Sequence, residues 1–245
     1  MTRTRSHLVL IPAYNPGRLL ETTVGAALAQ WGDVWVVVDG STDGSHESLV
    51  HLKEPGLRVI VIPVNGGKGS AVLAGARLAL AAGYTHALVM DADGQHPADR
   101  IPAFMQASAA APGSVICGEP VFGPEAPLVR LYGRRLSIGL VRLESSGRAA
   151  RDPLFGFRVY PLGPLVRVLE ETPGGRGYDF DPEVAVRLAW AGAPAVNLEA
   201  RCAYVGRENG GVSHFRYVRD NLRMMAMHVR ILSQLCFQRR RAQSA

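Results

Sequence analysis

The chain has 245 residues and is poor in cysteine, in aromatics and in long apolar runs, and each shortage removes a class of answers. Its three cysteines, Cys117, Cys202 and Cys236, are widely spaced, with no CxxC pair and no His/Cys cluster. That excludes a disulfide framework and a zinc site, and it fits a reduced, cytoplasmic protein. No apolar stretch approaches the roughly 20 residues that a bilayer-spanning helix requires. The start, Met1–Asn15, is basic and then briefly apolar, but Pro12 breaks the run too early for a signal-peptide core. Aromatics make up only 7%, few are interleaved with arginine and the body carries no basic stripe, so a nucleic-acid surface is unsupported. Two nucleotide motifs are also missing. No GxGxxG follows the first apolar run, and the position where a P-loop needs its first glycine is Ile62, with Lys68 followed by Gly69 rather than Ser or Thr.

What remains is a globular composition, with 47% hydrophobic and 20% charged residues. The net charge of +6 is unevenly placed. Residues 201–245 hold nine arginines against Glu208 and Asp220, whereas residues 1–200 are close to neutral. A positive excess confined to the end of the chain suits contact with anionic lipid head groups.

Four short runs rich in Val, Ile and Leu read as buried strands: His7–Ile11, Val34–Val38, Leu57–Ile62 and Ala87–Met90. Helical patterns separate them at Arg18–Gln30, Ser45–Leu52 and Gly69–Ala82. Alternation of this kind predicts an α/β fold with helices on both faces of a largely parallel sheet. Ligands of such sheets bind outside the carboxyl ends of the strands. The segments there are Pro12–Asn15, Asp39–Gly44, Pro63–Gly69 and Asp91–His96, all polar, Gly-rich or acidic. Any one alone reads equally as a turn; four converging on one edge read as a site.

Asp91 and Asp93 flank a single residue at a strand end, where a bend can turn both carboxylates towards one ion. A hard cation, Mn²⁺ or Mg²⁺, takes such oxygen ligands together with substrate phosphates. Gln95 or His96 would add a ligand or a supporting contact; the plainer reading is a solvated Asp-Gly turn. Asp39 suits a hydrogen bond from a ribose hydroxyl or a base N–H.

In this order, Pro12–Asn15, Asp39-Gly-Ser-Thr-Asp43, Asn65-Gly-Gly-Lys-Gly69 and Asp91-Ala-Asp93 resemble the family 2 glycosyltransferases of the GT-A fold, whose sheet is mixed and Rossmann-like. Asp91–Pro97, Asp152–Arg158 and Phe180–Glu183 are similar to segments of the dolichol-phosphate mannose synthase-like branch, the polyprenyl-phosphate sugar transferases. Gly211–Arg216 and the stretch after it resemble bacterial relatives from aryl-polyene and other lipid pathways. The resemblance implies a nucleotide-sugar site, UDP- or GDP-linked, formed by Pro12, Ala13, Tyr14, Asn15, Asp39, Lys68, Asp91 and Ala92. It places the metal on Asp91 and Asp93, with Gln95 beside them, and it implies an inverting displacement. One departure is Val38, which stands where the family usually has a second acid before Gly-Ser.

The other half of the chain holds the acceptor candidates. Arg130 and Arg134 are four apart and share a helical face, and Arg158 follows Gly156-Phe157. A guanidinium recognises phosphate bidentately, so these three, with His214, are the expected contacts to a lipid phosphate; Arg142 and Arg148 read as solvated. Asp152 is expected to orient an arginine or a sugar hydroxyl, or to act catalytically. Asp179, Asp181 and Glu183 suit a helix start, and Asp181 and Glu183 are also the general-base candidates.

From Phe215 through Val218, Leu222, Met225, Val229, Leu232 and Cys236, apolar residues recur at spacings of three and four, which is one helical face. Arg216, Arg219, Arg223 and Arg230 run one residue behind. Such a helix lies on a membrane interface or packs its stripe on the core. The expected organisation is a GT-A domain over 1–212, with a nucleotide-sugar half at 7–110 and an acceptor half at 111–212. A basic amphipathic helix at 213–238 and a flexible end at 239–245 follow. The expected activity is metal-dependent transfer of a sugar from a nucleoside diphosphate to a membrane-associated lipid, with the enzyme peripheral on the cytoplasmic membrane face. The alternatives are a soluble or peptide acceptor, a catalytically weak nucleotide-sugar-binding partner in a membrane complex, and a nucleotidyltransferase.

Overall fold

A computed structural model describes residues 6–243 apart from 122–127, 173 and 203–215. In chain order the elements begin with β1 (His7–Ala13), α1 (Leu19–Leu28), β2 (Val34–Asp39), β3 (Leu57–Ile62), α2 (Lys68–Ala81) and β4 (His86–Val89). They continue with α3 (Ile101–Ala110), β5 (Val115–Val121), α4 (Leu128–Glu144), β6 (Arg158–Pro161) and α5 (Leu162–Glu171). The last are α6 (Phe180–Trp190), β7 (Ala195–Arg201) and α7 (Tyr217–Gln243). The strands form one mixed sheet in the order β3-β2-β1-β4-β6-β5-β7.

β1 through β4 are parallel to one another, and alternate residues feed opposite layers. Leu8, Leu10 and Val37 pack in the layer that holds α2, α5, α6 and α7. Val9, Ile11 and Val36 pack in the layer of α1 and α3. β6 alone runs against its neighbours, with Val89 opposite Arg158 and Cys117 also opposite Arg158. That reversal matters for the site. It carries the segment entering β6 to the carboxyl end of β4, beside Asp91.

Two boundaries differ from expectation. Ser45–His51 is a 3₁₀ turn rather than an α-helix. Its entry is tied down by Asp43 Oδ1, which accepts from the Ser45 amide and hydroxyl, and one short turn does not offset the cost of helix nucleation. Helix α7 continues to Gln243, so the flexible end expected from 239 is helical as far as 243.

Helix α7 also settles how its two faces are used. Asp220, Met227, His228 and Ile231 are buried, while Val218, Leu222, Met225 and Val229 are 72, 65, 50 and 64% exposed. The apolar stripe therefore faces away from the domain. A hydrogen bond and an ion pair hold the inner face. His228 Nδ1 lies 2.8 Å from Glu144 Oε1 on α4, and Arg230 donates to Glu183 Oε2 at 2.7 Å on α6. Arg230, expected among the flanking arginines, is turned inward. Phe215 lies outside the described residues.

At the other end of the domain, His7 stacks on His86 across β1 and β4, with centroids 4.6 Å apart. Burial, then the charge of His86, lowers the His7 pKa from 6.5 to about 4. Below pH 6.5 the unfolded chain binds a proton that the folded chain refuses, so this contribution is complete above pH 6.5 and is lost as the pH falls towards 4. Thermal melts from pH 7 to 4 should show a decline worth roughly 2–3 kcal/mol that His7→Gln flattens. Equal slopes for the two proteins would contradict this origin.

Candidate active site

The loops after β1, β2 and β3 are stitched together by their own polar residues. Asn15, with a φ of 45°, accepts from the Thr42 amide through Oδ1 and donates its own amide to Ser41 Oγ. The Gly17 amide donates to Asp43 Oδ2. Asp39 is buried, and its carboxylate accepts from the amides of Gly66 and Gly67, with Gly67 N at 2.7 Å. Asn65 Nδ2 closes the same turn onto the Asp39 carbonyl. A carboxylate offers about four lone-pair positions, and Asp39 commits part of them to this turn. Pro12 and Ala13 end strand β1, and Tyr14 stands half-exposed at the loop rim.

These turns present Lys68 as the first residue of α2. Its ammonium lies 2.7 Å from Asp91 Oδ1 and 2.7 Å from Asp181 Oδ2. Gly156 leaves room for this bridge. A Cβ there would stand 2.5 Å from Lys68 Nζ and 3.3 Å from a carboxylate oxygen of each aspartate. Burial by itself would lower the Lys68 pKa, but the two carboxylates raise it, so the ammonium keeps its proton. Burial would raise Asp91, but the charge and hydrogen bond of Lys68, with lesser contributions from His96 and Arg158, together outweigh it and hold Asp91 below the ordinary carboxylate range. Asp93 goes the other way, raised by burial and by the charge on Asp91.

His96 supports the same strand end. Its Nδ1 accepts from the Asp91 amide at 2.9 Å, so a neutral ring carries its proton on Nε2, which lies 3.7 Å from Asp91 Oδ2. Phe155 and Phe157 enclose the ring, and burial lowers its pKa. Gln95 donates its amide to Asp93 Oδ1 and so shapes the turn through the backbone. Ala92 is buried beneath the two acids.

Among the described residues, no three His, Cys, Asp or Glu side chains form a metal-binding group by themselves. Asp91 and Asp93 nonetheless fit a hard cation whose remaining ligands are phosphate oxygens. A cation, the Lys68 ammonium, already sits on Asp91, and the buried Oδ1 of Asp181 has no hydrogen-bond partner.

The acceptor candidates fare differently. Arg134 pairs with Asp152, whose other oxygen accepts from the Leu154 amide, so Asp152 orients an arginine. Arg130 is on α4, but its side chain lies outside the described residues, as does all of His214. Arg158 is fully buried and does not present itself to an acceptor phosphate. Its guanidinium donates to the carbonyls of Asp152, Pro153, Phe155 and Asp181 and to the Tyr160 hydroxyl. Glu183 is likewise removed from a base role, because it is buried with Arg187 and Arg230 on its two oxygens. Only Asp181, of the two base candidates, reaches the Asp91 cluster.

Sequence reasoning missed the Lys68–Asp181 pair, since nothing in a spacing of 113 residues announces it. It also passed over Tyr178, which feels the charges of Asp91, Lys68 and Asp93, and Cys202, which feels those of Arg134, Asp93, Asp152 and Asp91.

A mixed sheet carrying an acidic cluster beyond β4 and a reversed β6 is the arrangement of the GT-A fold. The chain matches the family described as glycosyl transferase family 2 over residues 8–160 and belongs to that family. It is a glycosyltransferase of the dolichol-phosphate mannose synthase-like kind. It is 27% identical over 216 residues to the undecaprenyl-phosphate mannosyltransferase of Micrococcus luteus, covering 83% of this chain and 85% of that one. It is also 27% identical to the polyprenol monophosphomannose synthase of Mycolicibacterium smegmatis, over 84% and 80% of the two chains. Among solved structures, S. aureus TarS 1-349 in complex with UDP-GlcNAc superposes with a TM-score of 0.60 at 15% identity, over 92% of this chain and 66% of that one. That likeness speaks to the fold alone.

The burial of Arg158 makes a direct prediction. Arg158→Met leaves several carbonyls unpaired and should cost about 4 kcal/mol in urea denaturation. Unchanged stability with only a raised acceptor KM would instead restore Arg158 as an acceptor contact.

Proposed function

We propose that this enzyme transfers a sugar from a nucleoside diphosphate, UDP- or GDP-linked, to a polyprenyl phosphate at the cytoplasmic membrane face. The observation that carries the lipid acceptor is the orientation of α7. Its stripe of Val218, Leu222, Met225 and Val229 points outward, flanked by the exposed Arg216, Arg219 and Arg223. A hydrogen bond from His228 to Glu144 and an ion pair between Arg230 and Glu183 on the opposite side keep it so. A basic amphipathic helix of this kind lies in a membrane interface without crossing it, and no helix among the described residues is long and apolar enough to span one. Two relatives named for undecaprenyl-phosphate and polyprenol-monophosphate chemistry support the same acceptor class.

Asp91 and Asp93 would hold Mn²⁺ or Mg²⁺ against the donor diphosphate. A cation bound there supplies Lewis-acid neutralisation of the departing nucleoside diphosphate. Asp39 and Asn15 keep the loops around the nucleoside in place, and Lys68 stands at the edge of the diphosphate site. Arg134, oriented by Asp152, is the phosphate contact offered to the acceptor, since a guanidinium fork matches phosphate oxygens. A phosphate acceptor is already anionic and needs no strong base, which agrees with the burial of Glu183. Single displacement from the face opposite the leaving group inverts the anomeric carbon.

Two measurements test this reading. In a thermal-shift panel of nucleotide-sugars with Mn²⁺, Mg²⁺ or chelator, one donor should raise the melting point only with metal. Asp93→Ala should abolish that shift and lower turnover on the order of 10²-fold or more. No shift with any donor in folded protein would remove the donor site. In flotation with anionic vesicles, Leu222→Asp/Val229→Asp should leave the protein in the soluble fraction. Equal flotation of the variant and the wild type would remove the membrane surface.

A further inference from the structure

The Lys68 ammonium is shared evenly. It lies 2.7 Å from an aspartate of the donor half and 2.7 Å from an aspartate of the acceptor half, and both partners sit at the mouth of the same site. Lys68 begins a helix whose Gly67 cap, with a φ of 88°, fits against the Arg176 carbonyl, so its backbone has little freedom to retreat. The ammonium fills the space that Gly156 leaves by having no Cβ, and a change of partner is made by the side chain alone. We propose that Lys68 is a resident counter-cation that keeps a divalent ion off Asp91 until a nucleoside diphosphate draws the ammonium onto its phosphates, and that this release also frees Asp181 on the acceptor side.

The argument is electrostatic. A divalent cation at Asp91 and an ammonium in contact with the same carboxylate repel each other, so metal alone binds poorly. A diphosphate supplies new anionic oxygens for both cations. When the ammonium moves to them, Asp91 is given up to the metal and Asp181 loses its ion pair in the same event. Asp181 then presents two carboxylate oxygens, one of which, Oδ1, is already buried without a hydrogen-bond partner. An oxygen in that condition accepts from a hydroxyl, and the sugar of the donor is a source of one. Lys68 is thus a positioning residue that couples donor occupancy to the acceptor side, and coupling of this kind is reciprocal. The inference rests on the proposed role of Asp91 and Asp93 in holding the donor's cation.

The test is Mn²⁺ titration of the full chain, read by the electron spin resonance of free Mn²⁺, with and without UDP or GDP. Lys68→Met should bind Mn²⁺ alone about tenfold more tightly than wild type, whereas Lys68→Arg should not. Asp181→Asn should weaken Mn²⁺ alone, because Lys68 then rests wholly on Asp91, and this effect should vanish in the Lys68→Met background. General loss of structure does not tighten a site, so the first result is specific. Should Lys68→Met fail to fold, the weakening in Asp181→Asn carries the test by itself. Unchanged Mn²⁺ affinity in Lys68→Met, or a tightening in Asp181→Asn, would overturn the inference. Absence of Mn²⁺ binding by the wild type even with nucleotide would overturn the underlying metal reading instead.

Discussion

One buried guanidinium holds the two halves of the site in register. Arg158 opens the reversed strand β6 with no solvent exposure, and it gathers the carbonyls of Asp152, Pro153 and Phe155 on one side and of Asp181 on the other. Burying a charge is costly unless every donor finds an acceptor, so the loop has little choice but to wrap around it. The consequence is positional. Gly156 is pressed against Lys68, Asp152 is left facing Arg134, and Asp181 is brought to the end of β4. The residue acts through the backbone of its neighbours.

The same pattern of paired charge sets the edges of the molecule. Glu183, Arg187 and Arg230 join α6 to α7, and Glu144 with His228 joins α4 to α7. Because these polar contacts dock the helix, its apolar residues are released for the outside. Here Met227 and Ile231 supply the apolar part of the contact, and the larger stripe remains exposed.

Much of the fold was legible. Strand β3 begins and ends where the apolar run does, and β1, β2 and β4 differ from their runs by a residue or two. Doubly buried parallel strands such as β1, β2 and β4 are near-continuous Val, Ile and Leu, whereas β3, expected to be buried, is an edge strand with Val59 and Val61 exposed. The four polar loops were legible because strand ends collect ligand-facing residues. For Asp39 the sequence left the bonding partners open, for a physical reason. A carboxylate beside Gly-Gly amides and one beside a ribose look alike in sequence, and only the fold of Asn65–Gly67 shows which hydrogen bonds it accepts. The burial of Arg158 and Glu183 was likewise not legible, since the Asp181 carbonyl that Arg158 meets is on α6 and the Arg230 that Glu183 meets is on α7. In α7 the spacing of apolar residues identified the stripe but not its direction, which depends on Glu144 and Glu183, far away in the chain.

The central claim is that a lipid phosphate accepts the sugar. It is tested most directly by supplying labelled nucleotide-sugar with polyprenyl phosphate in one reaction and the phosphate-free polyprenol in another, and by counting label in the organic extract. The account predicts label in the lipid phase with the phosphate, none with the alcohol, and loss of transfer in Asp91→Asn. Equal labelling of the alcohol, or label recovered only on a water-soluble acceptor, would contradict it.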